Sequence, residues 1–421
     1  MRGHWAAAGI ILAMLAAPAR TKGGAEEWPS WRGPRGDGTS TETDVPVRWS
    51  ATENVKWKVP IPGKGHSSPI VWGDRVFITT CEEEKQPATA RAVPVPGSRE
   101  LLCLDATTGK LRWQKEVLKA PLEKKNGLNS YASGTPATDG KRVWVTFLEF
   151  PNIQVVCCDV DGAEVWRKSP GEFRSVHGFC SSLLLYKDVV ILNADQDALA
   201  YIVAFDRATG AERWRIDRPN RTRSYVPPVV FDAAGKKQMV LSGSKCVASY
   251  DPDTGRQLWI VDGPTDQMVA SLVYGDGMFF VTGGFPSLHL LGIRPDGTGN
   301  VTKTHVAWHE KKSPAYVPSP IAAGKCFFVV SDAGTASCLE AKTGKYLWSQ
   351  PLGRHHSASP VSANGLLYFP DDDGQTFIVK AAEKFELVGK NVLGEDCRAS
   401  PAISRGHIFI RGVQNLYCIG P

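Results

Sequence analysis

Eight side chains that could share one ligand stand shortly ahead of the predicted strand starts: His66, Tyr131, His177, Tyr225, Tyr316, His355, His356 and Arg398. Imidazole and phenol can move protons, and a guanidinium beside aromatic faces can hold a planar or anionic molecule. Each stands just before a small-residue, proline, apolar step that reads as the start of a strand. Two readings stay open: a polar and aromatic collar around a ligand, or strand-end residues that bond loop backbone.

Clustered carboxylates suggest a second chemistry. Asp195 and Asp197, and the run Asp371-Asp372-Asp373-Gly374, could offer oxygen ligands to a hard cation such as Ca²⁺, with Asp371 and Asp373 the candidate pair. Aspartate and glycine are equally what a tight turn selects, and the spacing is not that of an EF-hand. Cys157-Cys158 is an adjacent pair in a chain of ten cysteines. Aligned on the repeats below, Cys157 holds a third-strand slot also held by Cys103, Cys338, Cys418, Ala204 and Ser249, which reads as small-residue packing in a β core. Cys81 with Cys103, and Cys326 with Cys338, fall on adjacent predicted strands, where one slip of register would turn them apart. The sequence has no nucleophile elbow, phosphate loop, zinc-spaced Cys/His set or dinucleotide fingerprint, so no catalytic residue is assigned.

The elements that must position these residues are repeated. Asp105-Ala-Thr-Thr-Gly109-Lys-Leu-Arg-Trp113 recurs at Asp206 to Trp214, Asp251 to Trp259 and Glu340 to Trp348, and one residue shorter at Asp159 to Trp166. In all five the Trp lies four residues after the Gly. Aspartate can bond the amides of a tight turn, glycine supplies positive φ, and a recurrent indole suits the seam between neighbouring sheets. Strand starts recur as Ser68-Pro69, Thr135-Pro136, Pro227-Pro228, Ser319-Pro320, Ser359-Pro360 and Ser400-Pro401, with degenerate forms at Ser182-Leu183 and Ser271-Leu272. Two short apolar runs lie between each start and its turn. The spacing predicts eight four-stranded antiparallel blades of an all-β propeller. Trp57, Trp113, Trp166, Trp214, Trp259, Trp308 and Trp348 are the predicted docking residues. The last repeat lacks a fourth strand, and Asn54 to Ile61 has the missing pattern, so an N-terminal strand should complete the C-terminal blade and close the ring.

The turn unit Ala204-Phe-Asp206-Arg-Ala-Thr-Gly210-Ala-Glu-Arg-Trp214 resembles the tryptophan-docking motif of pyrroloquinoline-quinone (PQQ) propellers, over roughly residues 54–421. The resemblance spans PQQ-dependent dehydrogenases, the non-enzymatic lipoprotein of the outer-membrane barrel assembly machinery (assembly-factor-B-like proteins), and exported bacterial proteins whose start Trp28-Pro-Ser-Trp31-Arg32-Gly33-Pro34 also resembles. It implies either a scaffold without cofactor or a dehydrogenase holding PQQ with calcium. The dehydrogenases' vicinal disulfide lies beside the cofactor, a place that Cys157-Cys158 does not share.

A basic start, an apolar run from Trp5 to Ala17 and small residues through Ala25 read as a signal peptide over 1–25, followed by an extension over 26–53 and the propeller over 54–421. The run is too short to cross a bilayer. Cleavage would remove three of the 49 basic residues and none of the 43 acidic ones, leaving +3, which gives no footprint for nucleic acid. The expectation is a periplasmic or secreted monomer, non-catalytic, binding an envelope or extracellular protein, a glycan, or a small ligand at the channel mouth. The alternatives are a PQQ-dependent dehydrogenase of alcohols or sugars, and a hydrolase or lyase using the collar. The Pro- and charge-rich insert over 82–100 should lengthen a first-blade loop on the same face as the collar.

Overall fold

The computed structural model describes residues 25–84 and 95–421; the expected signal peptide up to Gly24 and the centre of the 82–100 insert lie outside the described residues. Eight four-stranded antiparallel meanders surround one channel, and the described residues contain no helix. Blade 3 is representative: Leu184–Tyr186 is innermost, then Val189–Ala194, Ala200–Asp206 and the outer Glu212–Arg218. Its middle strands are continuously apolar because sheets cover both faces, while the outer strand alternates exposed and half-buried positions. Val55–Pro60 pairs antiparallel with Asn415–Ile419, with Val59 opposite Leu416, so the ends of the chain close the eighth blade as expected. Two sheets gain a short parallel strand: Thr39–Ser40 on Val361–Ala363, and Gly299–Asn300 on Gln257–Asp262.

Indoles join the blades. Trp57, Trp113 and Trp166 each donate Nε1–H at 3.0 Å to the carbonyl of Ala106, Val160 and Arg207, the residue after the next blade's turn aspartate. Trp308 and Trp348 donate to Ala341 and Ala382. The turn glycine lies against the ring: a Cβ on Gly109 would stand 2.8 Å from Trp57, and one on Gly344 2.7 Å from Trp308. Glycine is therefore required there both for positive φ and for the close approach. Two seams differ. Trp214 lies over Gly255 but its Nε1 is buried without a partner. Trp259 turns inward to Gln238 of its own blade, at 2.7 Å, where Gly299–Asn300 runs alongside.

A second set of links runs around the channel. The amide of Ser68 donates to Thr135 Oγ1, Thr135 to Ser182, Ser271 to Ser319, Ser319 to Ser359, Ser359 to Ser400, and Ser400 back to Ser68, all at 2.9–3.1 Å. The small residue before each proline is thus a hydroxyl acceptor for the neighbouring blade. The belt breaks at Pro227, which has no N–H to give and no hydroxyl to receive, and Ser271 Oγ is left buried without a partner.

Pro227→Ser restores two links worth about 1 kcal/mol each, against about 0.4–1 kcal/mol lost by loosening the unfolded chain. Its melting temperature should rise by about 1 °C in calorimetry at fixed scan rate, whereas Ser319→Ala should lower it. Hydrogen bonds from Arg112 and Arg213 hold the Asp105 and Asp206 carboxyls at about 2, below their ordinary 3.8. A depressed carboxyl contributes stability above the unfolded value that disappears as pH falls through the folded one. Melting temperatures between pH 4 and pH 2 should therefore fall less steeply in the Asp105→Asn, Asp206→Asn double variant than in the parent.

Candidate functional site

Loops between blades, and between second and third strands, emerge on one face of the ring, here called the upper face; the Asp-Gly turns emerge on the lower. On the upper face the channel opens into a cup of about 150 Å³, lined by Trp31, His66, Cys180, Tyr225, Ser357 and Arg398 together with five belt residues, Ser68, Thr135, Ser182, Ser359 and Ser400. No carboxylate lines it. Burial, with the charges of Arg411, Arg398 and Lys125, pushes His66 down to about 4, so the imidazole is neutral at physiological pH.

The floor comes from the 26–53 extension, whose sequence carried no assigned purpose. Trp28, buried, exchanges backbone hydrogen bonds with Val71 of blade 1, at 2.9 and 2.8 Å, and the Pro29 carbonyl accepts from Thr138 of blade 2. The chain then turns across the lower mouth. Arg32 Nη1 donates to the Pro360 carbonyl at 2.8 Å, and Nη2 to those of Pro320 and Asp37, so one guanidinium ties blades 6 and 7 from below. A Cβ on Gly33 would stand 2.8 Å from the Trp28 ring, and one on Gly38 2.6 Å from the Arg32 guanidinium, so only glycine allows either approach. Further on, Glu42 accepts the amides of Arg405 and Gly406 in blade 8, and Trp49 stacks on Tyr368 in blade 7. Trp31 borders both the cup above and a cleft of about 390 Å³ below, between the extension and blades 2–4. Its indole is the partition that makes the channel a blind cup.

The predicted collar is brought together only in part. His66, Tyr225 and Arg398 line the cup, and His177 lies 6.3 Å from the Tyr225 ring, whose hydroxyl meets Ser175 at 2.7 Å. Tyr131 is set back beneath Lys125 and Arg99, and Tyr316 accepts from Gln267 at 2.6 Å. His356 is buried inside its loop, bonded to the carbonyls of Pro370 and Leu352, and His355 is exposed. None of these four lines the cup, and of them only the His356 side chain bonds loop backbone.

The carboxylates are also occupied. Asp371 accepts from the amide and side chain of Gln375, while Asp373 points to solvent. Asp195 forms a buried ion pair with Arg218, and Asp197 a surface pair with Arg223. Among the described residues no group of three or more His, Cys, Asp or Glu gathers as a metal would require. Calcium asks for six to eight oxygens, carboxylates usually among them, and no carboxylate lines the cup. The residues present do not fit a calcium-held quinone.

All ten cysteines are free thiols, and Cys180 alone is not buried. Cys157 and Cys158 point to opposite faces of one strand, into different core clusters, which is the packing role their slot implied. Cys81 and Cys103 lie opposite Arg99 and Phe77, four residues out of register.

Sequence reasoning missed a groove of about 670 Å³ on the upper face between blades 1, 2 and 3, walled by Leu122, Leu148, Phe150, Phe173 and Val176. Phe150 and Val176 are 55% and 64% exposed, and Leu128 and Leu199 on flanking loops 74% and 71%. A signal existed in these apolar residues at loop positions, but loops from three repeats meet there only after the ring closes.

Because one indole separates cup from cleft, Trp31→Ala should open the channel. Alkylation of Cys180 by a small thiol reagent should then quicken several-fold, read by mass spectrometry, with the nine buried thiols serving as the internal reference for intact folding.

A comparison with curated protein sequences finds no match. Among solved structures, BamB from Moraxella catarrhalis is similar, with TM-score 0.58 and 13% identity over 86% of this chain and 96% of that one. A europium-containing methanol dehydrogenase is similar at TM-score 0.56 and 12% identity, covering 93% and 90%. At such identities the likeness is one of fold. The sequence itself matches the family described as outer membrane protein assembly factor BamB over residues 97–262 and 298–384, more than half its length, and the chain belongs to that family.

Proposed function

We propose that this protein is a non-catalytic, exported propeller, periplasmic or secreted, that binds an envelope protein through its upper face and serves as a scaffold. The observation that carries this reading is the pairing of a blind, carboxylate-free cup with an exposed apolar groove beside it. A soluble monomer seldom displays several large apolar side chains on adjoining loops without a partner for them. The groove's charged residues are mostly paired already, Glu123 with Arg99 and Arg174 with Glu172, so apolar contact would supply most of the affinity. Family membership supports the same reading, since the family's description is of an assembly factor.

The dehydrogenase alternative draws support from the shared fold of the methanol dehydrogenase, but the cup's residues do not fit its chemistry. A hydrolase or lyase at the collar lacks a nucleophile and a base held in contact.

A photo-crosslinking residue at position 176 should capture a discrete envelope protein in intact cells. Phe150→Ser in the same chain should cut that capture by about tenfold, because truncating a buried aromatic anchor costs about 2 kcal/mol. Capture indifferent to Phe150→Ser, or retention of PQQ with Ca²⁺ and dye reduction on an alcohol panel, would overturn the proposal.

A further inference from the structure

We propose that the cup above Trp31 is a binding site for a compact oxyanion, received by the belt hydroxyls and by Arg398 at the rim. This deepens the binding-module reading and rests on it.

The hydroxyl belt is built to donate inward. Each of its five oxygens in the cup accepts an amide proton from the neighbouring blade, and among the described residues none of these O–H groups donates to another protein group. Each oxygen is anchored by the one amide it accepts and keeps its proton for whatever occupies the axis. An oxyanion is the ligand that accepts several such bonds at once, and charge-assisted bonds are the stronger ones.

Charge around the cup has the matching sign. Arg32 below it and Arg411 beside it are 2% and 3% exposed, and neither forms an ion pair among the described residues. Arg411 is bonded only to Ser67 and the Thr79 carbonyl, and Arg32 Nε has no partner. Burying a guanidinium without a counter-charge is costly, and the strain shows: burial lowers Arg32 to about 10 and Arg411 to about 9. Arg398 is tied only loosely, 3.9 Å from Asp372, whose oxygens already take the amide and hydroxyl of Ser357. A negative ligand in the cup would meet Arg398 directly and lie in the field of the two buried guanidiniums.

Size selects within the class. A cup of about 150 Å³ holds the equivalent of about five waters, enough for a tetrahedral oxyanion but below the roughly 300 Å³ at which organic ligand pockets begin. The cup opens upward, so the anion can arrive free or at the end of a longer molecule.

The test uses the full mature chain with inorganic phosphate and, separately, a hexose 6-phosphate, measured by calorimetry and by protection of Cys180 from alkylation. Binding of phosphate alone would assign a free anion, and binding of the sugar ester, alone or as well, an anion carried by a larger ligand. Either should weaken about tenfold or more in Arg398→Gln and within threefold in Arg398→Lys. Cys180 protection in the parent protein keeps the test valid should Arg398→Gln fold poorly. No binding of either probe at 10 mM, or binding unchanged in Arg398→Gln, would overturn the inference. Phe150→Ser should leave anion binding unaltered while reducing partner capture, so that failure of this site and failure of the docking reading are told apart.

Discussion

The contact on which the architecture depends is an indole laid over a glycine. A propeller blade is a small twisted sheet with two apolar faces, and it cannot bury either alone. What joins one blade to the next is the outer-strand Trp reaching the following turn, where its ring meets a glycine with no Cβ and its N–H meets a carbonyl. That geometry couples three demands in a nine-residue unit: a positive φ, a flat surface for the ring, and an acidic residue to fold the turn back so that its carbonyl is presented. At two seams, those of Trp214 and Trp259, the indole loses its acceptor or finds one in its own sheet.

Outer docking sets the circumference, and the inner hydroxyl belt then has only one diameter available. The two act at opposite ends of the same lever. Indoles fix the rim through apolar contact, and serine and threonine tie the axis through short polar links. The break at Pro227 faces blade 4, the blade whose Trp259 also departs from the docking pattern, so the irregularities of both rings fall in one sector of the disc.

The extension across the lower mouth turns a ring with an open pore into a disc with one usable mouth. Arg32 and Trp31 reach the axis from outside the repeats, and their neighbours Gly33 and Gly38 allow the approach. Closing the pore from below concentrates recognition on the upper face, where the cup lies close to an apolar groove made from three blades' loops.

The tandem turns and strand starts carried the fold legibly. A five-fold Asp-to-Trp spacing has few solutions other than identical sheets in a ring, and the missing eighth outer strand could be matched to residues 54–61 because strand pairing demands a partner of like pattern. Cys157 was legible too, since its slot in the repeat is small in every blade but the seventh, where Ile378 holds it. The candidate site was legible only in part. His66, Tyr225 and Arg398 each lie three residues before a strand-start proline and line the cup; in blade 7 that position is Ser357, which lines it too, while His356, one residue earlier, turns into its own loop and bonds the carbonyls of Pro370 and Leu352. The sequence by itself determined the repeat, its length, the docking residues and the closure, all of which are local patterns repeated in register. Only the tertiary structure decided that Trp31 floors the channel, that hydroxyls from different repeats form one belt, and that apolar loops converge on a groove. Those depend on which residues, far apart along the chain, a closed circle brings to its axis and to one face.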